Sequence, residues 1–255
     1  MVRENRSNDI VKSDETLFAI IEILQHHDQA GVTMLANSLG MAKSSVHKHL
    51  KTLEKNGYVI NKSGKYQLGF KLLSIGGAIR DSDRFCNLAR ESVQKLVEDT
   101  NQMVIFSYRE GLDGVVVFVR NDRYGLRNEV PLGNRFSLHM NAAGKAILAK
   151  LADPEIEEFL RKIDLIPATP NTITSKNELW DEIERVREKG YAISKEERVK
   201  GVQSIAGAVE SGGEVGAISI SLPADYSTTA QIHTRFSEII VETANELELR
   251  ARYKI

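Results

Sequence analysis

The chain of 255 residues is 42% hydrophobic and 27% charged, with a formal net charge of −1. This describes a globular protein of one large or two ordinary domains and excludes a disordered chain. Its single cysteine, Cys86, has no internal disulfide partner, which fits a reducing compartment.

The opening "MVRENRSNDIVKSDE" is polar and lacks the apolar stretch of a secretory signal. The best apolar run near it, "LFAIIEIL", is broken by Glu22 and is too short to span a bilayer. A cytoplasmic protein without membrane contact is expected. The near-neutral total hides an asymmetry. Residues 1–71 hold ten Lys and Arg against seven Asp and Glu, and seven lysines against one acid, Glu54, fall between Met41 and Lys71.

In "DETLFAIIEILQHHDQA", Leu17, Ile20, Ile21 and Leu24 recur at helical spacing, with Asp14 as the expected N-cap and Gly31 as the stop. "VTMLANSLG" predicts a short second helix, capped by Thr33 and ended by Gly40, that turns Leu35, Ala36 and Leu39 inward. "KSSVHKHLKTLEKNG" predicts a third helix over Ser44–Asn56, with Val46, Leu50 and Leu53 buried and Gly57 closing it. Two short helices joined at "GMA" have helix-turn-helix spacing.

The outward face of the third helix then carries Lys43, Ser44, Ser45, His47, Lys48 and Lys51. Short hydroxyls at the start of such a helix can meet phosphates or base edges, and lysines neutralise phosphates. "YVINKSGKYQL" reads as a hairpin turning at "KSG", a wing that places Lys62 and Lys65 along a DNA backbone. Lysines on one helix face are by themselves an ordinary solvated surface. Charge, helix order, turn glycine and wing together point to double-stranded DNA. His47 and His49, two apart, point to different faces of a helix, and the adjacent pair His26 and His27 fares no better, so no metal site and no cofactor are expected.

"FKLLSIGGAIRDSD" continues as a helical connector weakened by Gly76-Gly77, and "FCNLARESVQKLVEDTNQ" as a helix burying Leu88, Val93, Leu96 and Val97. From residue 103 the period becomes two. "MVIFSYREG", "GVVVFVRND", "YAISKEE", "GVQSIAGAVE" and "VGAISISLP" predict strands, the last two joined at "SGGE". Helical patterns near 143–151, 154–162, 176–189 and 229–249 fill the gaps. The outcome is an α+β domain around a mostly antiparallel sheet. The expected division is a DNA-binding domain over 10–71 and a second domain over 72–255, with residues 70–79 as linker.

"GVTMLANSLGMAKSSVHKHLKTLEKNGYVINKSGKYQLGFKLLSIG" resembles the winged helix-turn-helix of the IclR family of transcriptional regulators, including the "KSSVHKHL" recognition helix and the "YQLG" ending the wing. "PLGNRFSLHMNAAGKAILA" and "GYAISKEERVKGVQSIAGAV" resemble the effector-domain signatures of that family, in the same order. The resemblance covers almost the whole chain. It implies a GAF-like effector-binding domain and a dimer, often a dimer of dimers.

Three features of the second domain bear on a ligand. In "AISISLP", Ser219 and Ser221 share one sheet face, opposite to Ile218, Ile220 and Leu222. In "GVQSIAG", Ser204 shares a face with Val202. In "MNAAGKAILAKL", Asn141 can cap a helix whose first amides belong to Ala142, Ala143 and Gly144, a natural carboxylate site lined by small residues. The resemblance implies a small organic acid held at Ala142, Ala143, Ser194, Ser204, Ser219 and Ser221, with an apolar wall near Phe136 and Val202. Ser194 departs from the family, where that position is often aspartate.

An enzyme acting on a small acid is the alternative, but its motifs are missing. "AAGKA" lacks both the glycine and the hydroxyl residue of a phosphate-binding loop, having His139 and Ala146 there. "SGGEVG" lacks dinucleotide-binding spacing, and no serine stands in a nucleophile context. "SKEERVK" reads as a solvated turn. A purely structural interaction module leaves the basic patch unexplained. The expected function is a DNA-binding transcriptional regulator acting on a palindromic operator under control of a small-molecule effector. Pairing is assigned to the first helix and to Phe70–Ile79.

Overall fold

The computed structural model describes residues 11–121, 130–226 and 229–253; the expected domain limits at residues 10 and 255, and Asp122 at the end of the second expected strand, lie outside them. The described residues fall into two compact units, one ending at Ile79 and the other beginning at Arg80.

The first unit contains α1 (Lys12–Gln25), β1 (Ala30–Gly31), α2 (Val32–Leu39), α3 (Lys43–Lys55), β2 (Val59–Lys62) and β3 (Lys65–Leu68). Its core joins one stripe from each helix, Ile20 and Leu24, Leu35 and Ala36, and Val46, Leu50 and Leu53, to Val59 and Tyr66 of the wing. Burying three amphipathic stripes on one aromatic ring fixes the helices against the wing. The wing turns through Ser63 and Gly64, both with positive φ (53° and 84°). That is the twist a two-residue hairpin needs, and Asn61 Oδ1 accepts the Gly64 N–H at 2.9 Å to hold it.

The structure corrects three local expectations. α1 starts at Lys12 with Val11 as its N-cap, so Asp14 lies inside the first turn. α1 ends at Gln25, and Gly31 is not its stop but part of β1. α2 begins at Val32 with Gly31 as its N-cap, so Thr33 is already helical. The reason for the last two is β1, which pairs Ala30 with Tyr66 and Gly31 with Lys65 and keeps the chain extended up to the helix. A two-residue strand has no alternation to reveal it.

α4 (Lys71–Ser82) carries the chain across the boundary at Ile79 and runs unbroken through Gly76-Gly77. It buries no residue, and Phe70, Leu73 and Ile79 are 85%, 68% and 68% exposed.

The second unit contains α5 (Arg84–Thr100), β4 (Met103–Glu110), β5 (Asp113–Arg120), β6 (Arg135–Ser137), α6 (Ala142–Lys150), α7 (Asp153–Lys162), α8 (Lys176–Lys189), β7 (Ala192–Lys195), β8 (Val202–Ser211), β9 (Glu214–Pro223) and α9 (Thr229–Tyr253). Six strands form one antiparallel sheet in the order β6-β5-β4-β9-β8-β7. Alternation sorts its side chains into two cores. Phe106, Ile205, Ile218, Ile220 and Leu222 pack with α5 and α9 on one face. Val116, Ala192, Ala206 and Ala217 pack with α6, α7 and α8 on the other. Small residues on the second face let α6 approach closely, and this is where the cavity lies. The fold is α+β with an antiparallel sheet, as the patterns predict; the three-residue β6 was not legible in them.

Candidate functional site

The basic face of the first unit is built on α3. Lys43, Ser44, His47, Lys48 and Lys51 are exposed there and Ser45 is half-buried, while Val46, Leu50 and Leu53 anchor the opposite side. The N-cap is Ala42, which supplies no side-chain acceptor, and no acid stands in the first turn. The positive end of the helix is therefore left open beside Ser44 and Ser45. Lys62 and Lys65 face each other across the wing turn, both exposed. Lys51 differs from the other lysines in pairing with Glu54 at 2.8 Å.

In the second unit a cavity of about 100 Å³ lies between the sheet and the start of α6. Ser194 stands opposite Ser204 and Ser204 opposite Ser221, so three hydroxyls form one rung across β7, β8 and β9. Ser219 lies two residues along β9 on the same face and lines the cavity with them. Its Oγ donates to the Ile105 carbonyl at 3.3 Å. The hydroxyls of Ser194, Ser204 and Ser221 have no hydrogen-bond partner among the described residues.

The sequence pattern placed Ser219 and Ser221 on one face but could not reveal that the hydroxyls of Ser194, Ser204 and Ser221 are unspent. Phe136 and Val202 contribute to the apolar wall. Gly114 is paired opposite Phe136, and a Cβ there would sit 2.3 Å from its ring. A side chain on β5 would displace the ring from the cavity.

α6 closes the cavity. Asn141 Oδ1 accepts the Gly144 N–H at 2.8 Å, so Gly144 is not one of the open amides. The amides of Ala142 and Ala143 remain without a partner among the described residues. Ala143 lines the cavity, whereas the fully buried Ala142 does not. Gly144 is required by packing, since a Cβ would stand 2.2 Å from the Leu138 carbonyl oxygen. Behind it His139 is fully buried between Ser137 Oγ (2.8 Å) and the Ile166 carbonyl (3.2 Å). Burial pushes its imidazole below the ordinary value, and the bond to Ile166 opposes this.

Two features escape a reading of the sequence. "SKEERVK" is not a solvated turn: Glu197 is buried and meets Lys145 Nζ at 2.8 Å. Lys145, 1% exposed, also donates to Glu182 and to the Ile193 carbonyl. Burial pushes the Glu197 carboxyl above its usual range against the pull of that ammonium. The next residue, Arg198, lines the cavity with its Cζ 5.0 Å from the Phe136 ring centre. A charged residue beside a strand end was the one available signal. Among the described residues no group of three His, Cys, Asp or Glu side chains stands where it could hold a metal ion, and no helix is long and apolar enough to cross a membrane.

A winged helix-turn-helix joined to a domain whose small cavity, with an apolar wall and a row of serines, lies under a helix end defines a DNA-binding regulator with an effector domain. Residues 16–61 match the IclR helix-turn-helix domain, and residues 78–249 match the bacterial transcriptional regulator IclR C-terminal domain. The chain belongs to the IclR family of transcriptional regulators. It is 29% identical over 244 residues to the HTH-type transcriptional repressor AllR of Salmonella typhi, covering 92% of this chain and 89% of that one. The crystal structure of the Thermotoga maritima IclR superposes with a TM-score of 0.79 at 27% identity, over 94% of this chain and 99% of that one. An IclR homolog of Microbacterium hydrocarbonoxydans, crystallised with 4-hydroxybenzoate, shares the fold with a TM-score of 0.73 at 18% identity, over 91% of this chain and 96% of that one.

Proposed function

We propose that this regulator binds a palindromic operator through residues 10–71 and that a small carboxylate, held in the second unit, modulates its operator affinity. The observation that carries the effector half is the convergence on one small cavity of three unspent serine hydroxyls and a helix start whose amide at Ala143 is free. Such donors favour an anionic oxygen, and the apolar wall of Phe136 and Val202 suits the carbon skeleton. The aromatic acid bound by the Microbacterium homolog supports this class of ligand without fixing its identity.

On DNA, Ser44, Ser45, His47 and Lys48 read base edges in the major groove, while Lys43, Lys51, Lys62 and Lys65 contact phosphates. One winged helix covers too few base pairs for specificity, so the protein pairs, as a dimer or a dimer of dimers, in the cytoplasm. The apolar exposure of Phe18, Phe70, Leu73 and Ile79 favours α1 and residues 70–79 as the pairing surface. Regulation requires that the acid favour one domain arrangement over another. The test is selection of duplexes by the purified protein, followed by sedimentation on the selected duplex. Paired half-sites about one helical turn apart and an even number of protomers are expected. No enriched sequence, or a monomer on DNA at micromolar concentration, overturns the proposal.

A further inference from the structure

We propose that Arg198 is the specificity-determining residue of the effector cavity, its guanidinium forming the ion pair with the carboxylate of the effector and so excluding neutral analogues of the same shape. This rests on the proposal that the cavity takes a small carboxylate.

Arg198 is the cation of the cavity lining, and no Asp or Glu lines it among the described residues. Neither carboxylate next to it in the chain pairs with it. Glu196 accepts the Gly201 N–H at 2.7 Å, and Glu197 is held by Lys145. Arg198 itself has no hydrogen bond or ion pair among the described residues, and its Cζ lies 5.0 Å from the centre of the Phe136 ring. A guanidinium set over a ring keeps its N–H donors free for a planar, bidentate acceptor.

The surroundings do not compensate the charge: burial alone draws the guanidinium below its ordinary value. Ser194 sharpens the point. An aspartate there would place a carboxylate in the same lining and supply an internal partner. With serine, no carboxylate of the described lining answers that charge. Its volume of about 100 Å³ has room for about seven to ten water-sized groups, the size of a small keto, dicarboxylic or benzoic acid.

The experiment is a thermal-shift titration of the full-length protein at constant ionic strength. The probes are pyruvate, malonate, benzoate and 4-hydroxybenzoate, each beside its neutral amide. At least one acid should stabilise the wild type while its amide does not. R198Q should bind that acid at least tenfold more weakly, with R198K intermediate because an ammonium offers no fork. R198Q should be no less stable than the wild type without ligand, since it gives up no ion pair. Equal binding of the acid by R198Q overturns the role of Arg198 and leaves the carboxylate site standing. Equal binding of acid and amide by the wild type overturns both. A ligand-free loss of several degrees in both R198Q and R198K marks a structural role and overturns the inference, as does a wild type shifted by none of the eight compounds.

Discussion

Lys145 Nζ lies 2.8 Å from a carboxylate oxygen of Glu197, with the lysine 1% exposed. The pair joins α6, two residues beyond Ala143, to the turn that carries Arg198. It therefore ties together the two walls of the cavity that bear positive potential. A buried ion pair adds little net stability, but losing one partner strands the other in a low-dielectric site.

Replacing Lys145 with Met leaves Glu197 and Glu182 facing each other without their common cation. A loss of about 3–5 kcal/mol is expected from urea denaturation. Glu197→Gln should cost less, because Glu182 still holds the ammonium at 3.1 Å. A Lys145→Met, Glu197→Met double variant should recover much of the loss. A double variant no more stable than Lys145→Met contradicts the pairing account.

Gly144→Ala forces a methyl onto the Leu138 carbonyl oxygen, 2.2 Å away. Backbone cannot swing aside as a side chain can, so the start of α6 must shift. The expected result is a destabilisation of about 1–3 kcal/mol with loss of effector binding. Retention of both, by thermal denaturation and ligand titration, would show that the helix start is free to move.

On DNA, Lys62→Ala and Lys65→Ala should each lower the slope of log affinity against log salt by about 1. Lys51→Ala should change it less, because Lys51 is already paired with Glu54. Glu54→Ala should strengthen binding by releasing that lysine. Anisotropy titrations at several salt concentrations decide this, and a Lys51→Ala effect equal to the wing lysines would show that the pair opens freely on DNA.

His139 gives the second unit a signed dependence on pH. Its folded value is depressed below 6.5 by burial. Below pH 6.5 the unfolded chain binds the proton more readily than the folded one, so stability present above 6.5 is lost as pH falls toward the folded value. His139→Gln should flatten the melting temperature between pH 6.5 and 5 relative to the wild type. Parallel curves would remove His139 as the cause.

The sequence made the helices legible because their stripes at Ile20, Leu50 and Leu96 have the period of a helix, and the strands legible because Ile218, Ser219, Ile220 and Ser221 alternate. Alternation placed Ser219 and Ser221 on one face and Ser204 with Val202, and capping placed Asn141 at the helix start, whereas Ser194 and Phe136 came only from the family resemblance. What stayed hidden depends on contacts between distant segments. The tie from Lys145 to Glu197 spans about fifty residues, and β1 and β6 exist only because longer neighbours hold them. Arg198 belongs to the same class, since nothing in "SKEERVK" tells which charge turns inward.

The central claim is that an anion at the start of α6 is coupled to DNA affinity, and Ala143→Asp tests it most directly. Operator affinity of wild type and variant is measured by anisotropy with and without an acid that stabilises the wild type. The wild type should shift by about 5- to 150-fold, the range of a typical coupling free energy. Ala143→Asp places a carboxylate where that of the ligand would lie, and should bind the operator as the wild type does without responding to the acid. A variant that responds like the wild type would contradict the account.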